Sequence, residues 1–334
     1  MRLTKKIKYL ALAFFLCIPQ TYAQNFTASS KDAESAISEA GLLTDILFLT
    51  DSICKGRATG TSGASEAACY IAGRFRQEGL VPFNRNYFQN FKADNGQIGH
   101  NVLGVLRGNP YDGSDKYIIV AAHFDNLGEL AGRIYQGADS NASGVSALLG
   151  IAGMFKYMRT GSRNYNQHII FVALDGKQTS MAGVEELWRR LDSGALVSPI
   201  NGKVLSRRNI TMFVNLDILG GTEAVLHSGR PDYLIMLGGH QHNNLLATTN
   251  RNYNINLDLA FDYYGSKGFT DMFLNRVSEQ KVFLQHGIYS VLFTSGITMK
   301  TNRDDDSAEY LDMNVLKKRT WLIFHWIERV VQIL

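Results

Sequence analysis

Three nearly continuous apolar runs constrain the fold most: residues 117–122 (YIIVAA), 168–174 (HIIFVAL) and 209–216 (NITMFVNL). A strand with one face in water alternates apolar and polar side chains. A strand that does not alternate needs cover on both faces, as in a parallel sheet held between two helical layers. Helix-patterned stretches separate the runs, at about 142–157 and 185–191. The sequence therefore predicts an α/β fold, a three-layer sandwich with a mostly parallel twisted sheet and helices on both faces. Ligands in such sheets bind beyond the carboxyl ends of the strands.

The flanking segments extend this pattern. Residues 32–50 read as an amphipathic helix with Ile37, Leu42, Leu43, Ile46 and Leu47 on one side. A second helix over 64–78 stops at Gly79. Between them lies a glycine-rich loop, GRATGTSG, at 56–63. Residues 87–92, 101–106 and 290–294 read as strands, and the stretch after Gly221 is less regular. Residues 315–334 are apolar at helical spacing, with Lys317, Lys318, Arg319, Glu328 and Arg329 on the opposite face.

The full chain has 34 Lys and Arg against 30 Asp and Glu, a net charge of +4. Arg2, Lys5, Lys6 and Lys8 account for the excess. They precede an apolar stretch at 9–18 (YLALAFFLCI), then Pro19 and Thr21-Tyr22-Ala23. These are the three parts of a signal peptide, with cleavage expected after Ala23. The apolar stretch is about half of the roughly 20 residues that a membrane-spanning helix needs. The expected organisation is a signal peptide at 1–23 and one domain at 24–334, exported to the periplasm or the exterior, with no membrane span after cleavage. Without the leader the charge is 30 against 30, which gives no reason to expect a nucleic-acid partner. Cys54 and Cys69 then remain, either as a disulfide or as two separate thiols.

Polar clusters follow the strand-like runs. His123-Phe124-Asp125 ends the first, Asp175-Gly176-Lys177-Gln178 the second, and Asp217 the third. Gly137-Ala138-Asp139-Ser140-Asn141 opens the helix near 142, and Asn302 to Asp306 is a polar loop before the last helix.

In order and spacing, these elements resemble the co-catalytic zinc aminopeptidases of metallopeptidase family 28, which include leucyl aminopeptidases, glutamate carboxypeptidases and glutaminyl cyclases. The resemblance runs from about Leu43 to Leu334 through GRATGTSG, NVLGVLRG, HFD, GADSNASG, FVALDG, NLDILG and RDDDSAEYLD. It implies a two-zinc site that removes N-terminal residues from peptides. Carried over position by position, His123 matches the first His ligand, Asp125 its orienting Asp, and Asp217 a later Asp ligand. The bridging Asp falls on Ser140, with Asp139 one residue earlier. The general base and the ligand after it fall on Lys177 and Gln178. The final His ligand falls on Asn302, and the family's Ser-Asp-His element on Ser278, Glu279 and Gln280.

The resemblance therefore implies no intact catalytic set, with His123 and Asp217 left as residual ligands. Ser and Gln are poor neutral donors to zinc, and lysine brings a cation into a cation site. Without the Glu, nothing is positioned to take the proton from an attacking water. The expectation is no resident cofactor, or at most one weak ion. Glu185 and Glu186 do not replace the lost acids, lying about eight residues, or roughly 12 Å of helix, beyond Lys177. His240-Gln241-His242 reads as loop rather than chelate. Lys177 is expected to point its ammonium at the zinc positions. The functional expectation is a non-catalytic pseudo-enzyme that binds a peptide, a protein or a small molecule in the strand-end cleft. The alternative is an active metallo-exopeptidase with a rebuilt or single-metal site.

Overall fold

The computed structural model describes residues 29, 32–83, 85–110, 113–161, 163–223, 229–263 and 265–333. The leader at 1–23 lies outside the described residues. A short 3-10 helix (Asp32–Ala36) precedes α1 (Glu39–Thr50) and α2 (Ser62–Gln77). Strands β1 (Val81–Pro82), β2 (Phe88–Lys92), β3 (Ile98–Leu106) and β4 (Tyr117–His123) follow. A hairpin of β5 (Gly128–Leu130) and β6 (Arg133–Tyr135) leads to α3 (Ser143–Thr160), β7 (His168–Leu174), α4 (Ala182–Asp192) and β8 (Ile210–Leu216). The last third holds β9 (Tyr233–Leu237), α5 (Asn243–Asn252), β10 (Asp258–Ala260), α6 (Lys267–Met272), α7 (Gln280–Gln285), β11 (Ser290–Thr294) and α8 (Met313–Ile333).

Among the described residues the main sheet has nine strands in the order β1, β3, β7, β4, β8, β11, β9, β10, with β2 paired to β3. Its centre, β7-β4-β8-β11, is parallel. β3 joins one side antiparallel and β9 joins the other antiparallel. The apolar runs lack alternation because successive residues serve different layers. Ile118 and Val120 pack in the core shared with α1, α2, α3 and α8, whereas Ile119 and Ala121 pack in the core shared with α4 and α7. Burying each such aliphatic side chain contributes about 1.5–3 kcal/mol. Truncating Ile118 or Ile119 to Ala would cost roughly 2–5 kcal/mol through the cavity left behind.

The expected helix over 32–50 is in two pieces. The Ser38 side chain accepts the Gly41 N–H at 3.0 Å and caps a fresh start at Glu39. Leu47, assigned to the buried side, is 52% exposed. The polar face assigned to the last helix is partly internal, because Arg319 and Glu328 are fully buried. Arg319 donates to the carbonyls of Tyr233, Leu219 and Gly221 at 2.6, 2.7 and 2.8 Å. It thereby ties α8 to β9 and to the loop after β8. The irregular stretch past Gly221 contains β9, a wholly buried strand too short to reveal a period. Cys54 is buried and Cys69 exposed, and both are free thiols. No helix of the described residues is long and apolar enough to cross a membrane.

Candidate functional site

The strands β7, β4 and β8 are parallel neighbours, with His123 opposite Leu174 and Ala121 opposite Asn215. Their carboxyl ends therefore deliver Lys177, His123 and Asp217 to one point. Lys177 Nζ donates to Asp217 Oδ2 at 2.6 Å and lies 3.7 Å from Glu279 Oε2. The Ser278 hydroxyl donates to the same Asp217 Oδ2. On the other side, His123 Nε2 lies 3.3 Å from Asp217 Oδ1, and its Nδ1 lies 3.1 Å from the Asp125 carbonyl oxygen. The amide of Asn215 holds Glu279 in place at 3.0 Å.

Position and charge reinforce each other. Burial opposes ionisation of Lys177, but Asp217 and Glu279 outweigh it and raise the ammonium's pKa. Burial works against the Asp217 carboxylate, yet Lys177 and His123 hold it well below the usual range. Burial and the Lys177 charge disfavour a charged His123. Glu279 and the bonds to Asp125 and Asp217 win, pushing the imidazole up to about 9. The surroundings thus favour the charged forms of both His123 and Lys177, set against the carboxylate of Asp217 between them.

A cleft of about 210 Å³ opens above this group. Lys177, Asp217 and Ser278 contribute its polar side, and Met181, Phe273, Leu292 and Ile297 an apolar wall. Ser140, Gln178 and Asn302, three positions singled out in the sequence, also line it. The backbone fixes two of them. The N–H of Gln178 donates to Asp125 Oδ2 at 2.9 Å, and that of Ser140 to Asp306 Oδ2 at 3.1 Å. Asp139 does not line this cleft. Its Oδ1 accepts the Gly220 and Gly221 N–H groups at 2.7 and 3.0 Å and holds the loop after β8.

Other sequence candidates have structural partners elsewhere. Glu186 pairs with Arg189 and Arg190 on α4 at 2.7 and 2.6 Å. His242 lies against Tyr289, its Nδ1 3.3 Å from the hydroxyl, and Gln280 donates to the carbonyls of Phe273 and Leu274, both at 2.9 Å. Among the described residues no group of three or more His, Cys, Asp or Glu side chains could hold a metal ion.

Sequence reading assigned no role to the residues that support the site from behind. Arg57, from the GRATGTSG loop, is fully buried. It donates to the carbonyls of Phe124, Gln136 and Gly137 at 2.7, 2.7 and 2.9 Å, and to that of Leu49. It thereby joins the HFD turn to the segment before Ser140. Asp306 accepts the N–H of Asp139 at 2.8 Å as well as that of Ser140. Thr59 donates to Asp175 Oδ1 at 2.8 Å, and burial together with Asp125 pushes the Asp175 carboxyl up to about 7. The one available signal was an arginine amid glycines and small residues, where a charge would otherwise be expected in water.

Residues 101–327, well over half of the chain, match the model of Peptidase family M28. The chain belongs to peptidase family M28. Among curated proteins, it is 29% identical over 189 residues to the alkaline phosphatase isozyme conversion protein of Escherichia coli (strain K12), covering 52% of this chain and 50% of that protein. It is 24% identical over 232 residues to the BOS complex subunit ncln of Danio rerio, covering 64% of this chain and 39% of that one. The matches thus span about half or less of those relatives' own length. The Legionella pneumophila LapA aminopeptidase superposes with a TM-score of 0.67 at 14% identity, over 91% of this chain and 75% of that one. BSAP, a zinc aminopeptidase from Bacillus subtilis, gives 0.64 at 13% identity, over 89% and 96%. The Macrostomum lignano glutaminyl cyclase gives 0.66 at 15% identity, over 91% and 92%. The M28 fold thus places the strand-end cleft of this chain where ligands bind in open α/β sheets.

Proposed function

We propose that this chain is a non-catalytic M28 protein that binds a peptide, a protein or a small molecule in its strand-end cleft. The observation that carries the reading is Lys177 Nζ bonded to Asp217 Oδ2 at 2.6 Å. The donor set does not fit a two-zinc centre. Of the residues facing the cleft, Ser140, Gln178 and Asn302 are neutral oxygen or amide groups, and Asp217 already serves two donors and an imidazole. A divalent ion there would meet the Lys177 ammonium, and Asp217, the carboxylate that lines the cleft, is already engaged by that ammonium. No catalytic step is assigned. Lys177, held charged, cannot accept a proton from water.

Two of the relatives are named as subunits of the BOS complex, a role that is compatible with binding. We further propose that residues 1–23 are a signal peptide removed after Ala23 and that 24–334 form one exported domain.

The test is elemental analysis of the purified protein after incubation with excess zinc, followed by assays on aminoacyl and dipeptide substrates. The expected outcome is less than one zinc per chain and no hydrolysis. Two retained zincs with turnover would replace this reading by an active exopeptidase with a rebuilt site.

A further inference from the structure

The edge of the sheet opposite the cleft gathers positive charge. β4, β7 and β8 begin there, and β3 ends there, with Leu106 opposite Ile169. The topology brings Arg107, just after β3, to the same rim as Lys116, just before β4, and Arg207 and Arg208, just before β8. Two bonds tie these starts side by side: Asn209 Nδ2 to the Asp115 carbonyl at 2.9 Å and Lys116 Nζ to the Arg208 carbonyl at 2.8 Å.

The loop between α4 and β8 reaches this rim as a built hairpin. Leu196 and Leu205 anchor it in the core, Ser198 bonds the buried Tyr117 hydroxyl at 2.6 Å, and Val197 and Val204 form an antiparallel bridge. Among the residues that the hairpin turns outward are Lys203 and the two valines, which are 45% and 55% exposed.

Arg107, Lys116, Lys203, Arg207 and Arg208 are all exposed, and none of them has an ion pair among the described residues. Among the described residues two carboxylates share the rim: Asp115, which acts on Tyr117 and His168, and Asp192 at the end of α4. Among the described residues, five cations against two anions leave +3 on one edge, whereas residues 24–334 as a whole carry 30 basic and 30 acidic side chains.

We propose that this rim docks on an anionic phospholipid surface, with Val197 and Val204 entering the headgroup layer among the five cations. Cations held at an anionic leaflet attract it within a Debye length, and exposed aliphatic side chains gain by leaving water at the interface. A phosphate backbone would use the cations but would give the valines no such gain. Docked this way, the protein holds its cleft on the side facing away from the surface, so both can be engaged at once.

The experiment is flotation of the full chain with vesicles of phosphatidylcholine alone and of phosphatidylcholine mixed with phosphatidylglycerol. Flotation is expected only with the mixed vesicles and is lost near 1 M salt, where the Debye length falls to about 3 Å. The variant K116Q/R207Q/R208Q should bind about 100-fold more weakly, at roughly fivefold per basic residue. V197S/V204S, with charge unchanged, should bind several-fold more weakly. These side chains are exposed, so an unchanged Tm controls for folding. Equal flotation with both vesicle types, wild-type binding by either variant, or binding to a DNA duplex but not to vesicles would each overturn the proposal.

Discussion

His123 and Lys177 approach Asp217 from opposite sides, one at Oδ1 and the other at Oδ2. Two basic side chains thus flank one carboxylate at the ends of three parallel strands. The arrangement makes the charge state of His123 part of the stability of the fold.

A basic group whose folded pKa is raised stabilises the protein below its unfolded pKa, and the effect is lost as pH rises through the folded value. For His123 the window runs from the ordinary 6.5 to about 9. Stability should fall across that window in the wild type, relative to a His123→Gln variant. Paired denaturant melts from pH 6 to pH 10 would check it, roughly bracketing the window. A difference that stays constant with pH would show that His123 keeps its ordinary pKa in the fold, and one that grows as pH rises would show that folding holds it neutral.

Lys177→Met should leave Asp217 and Glu279 buried without their cation. The expected loss is about 3 kcal/mol or more, the usual cost of removing one partner of a buried pair. An exposed lysine would cost within about 0.5 kcal/mol. The urea midpoint separates these outcomes, and an unshifted midpoint would contradict the inward pose.

Arg57→Met removes the donor of four carbonyls around the HFD turn. Stability should drop by at least about 4 kcal/mol, because charged hydrogen bonds contribute about 1.5–3 kcal/mol each and the carbonyls are left buried. Arg57→Lys keeps the charge but has a single nitrogen to reach them, so it should recover less than half of that loss. Thermal melts of the two variants provide the comparison.

Cys69 should react quickly with a disulfide reagent in the native protein, whereas Cys54 should react only after unfolding. Cys54 is buried, and burial pushes its thiol up to about 11, which leaves little thiolate at neutral pH. Peptide mapping by mass spectrometry would locate the label. Native labelling of Cys54 at a comparable rate would mean that the segment before α2 opens readily.

The central strands and most helices were legible because their determinants are local. A run such as YIIVAA reports two covered faces by itself, and FVALDG followed by Lys177 and Gln178 shows which residue types stand at a strand end. The same residues suffice to recognise the family. The tertiary structure decided the rest. That β3 and β9 run antiparallel to their neighbours depends on connections, which leave no mark on the strand itself. Arg319 and Glu328 sit at surface-like spacing on α8, yet β9, the loop after β8 and the segment before β7 cover them. Asp139 turned to the Gly220 and Gly221 amides, and Lys177 turned inward, because partners distant in sequence were waiting at hydrogen-bond range. Periodicity reads which side of an element is buried. The direction taken by a long or charged side chain depends on charges and donors that only the folded chain brings within a few ångströms.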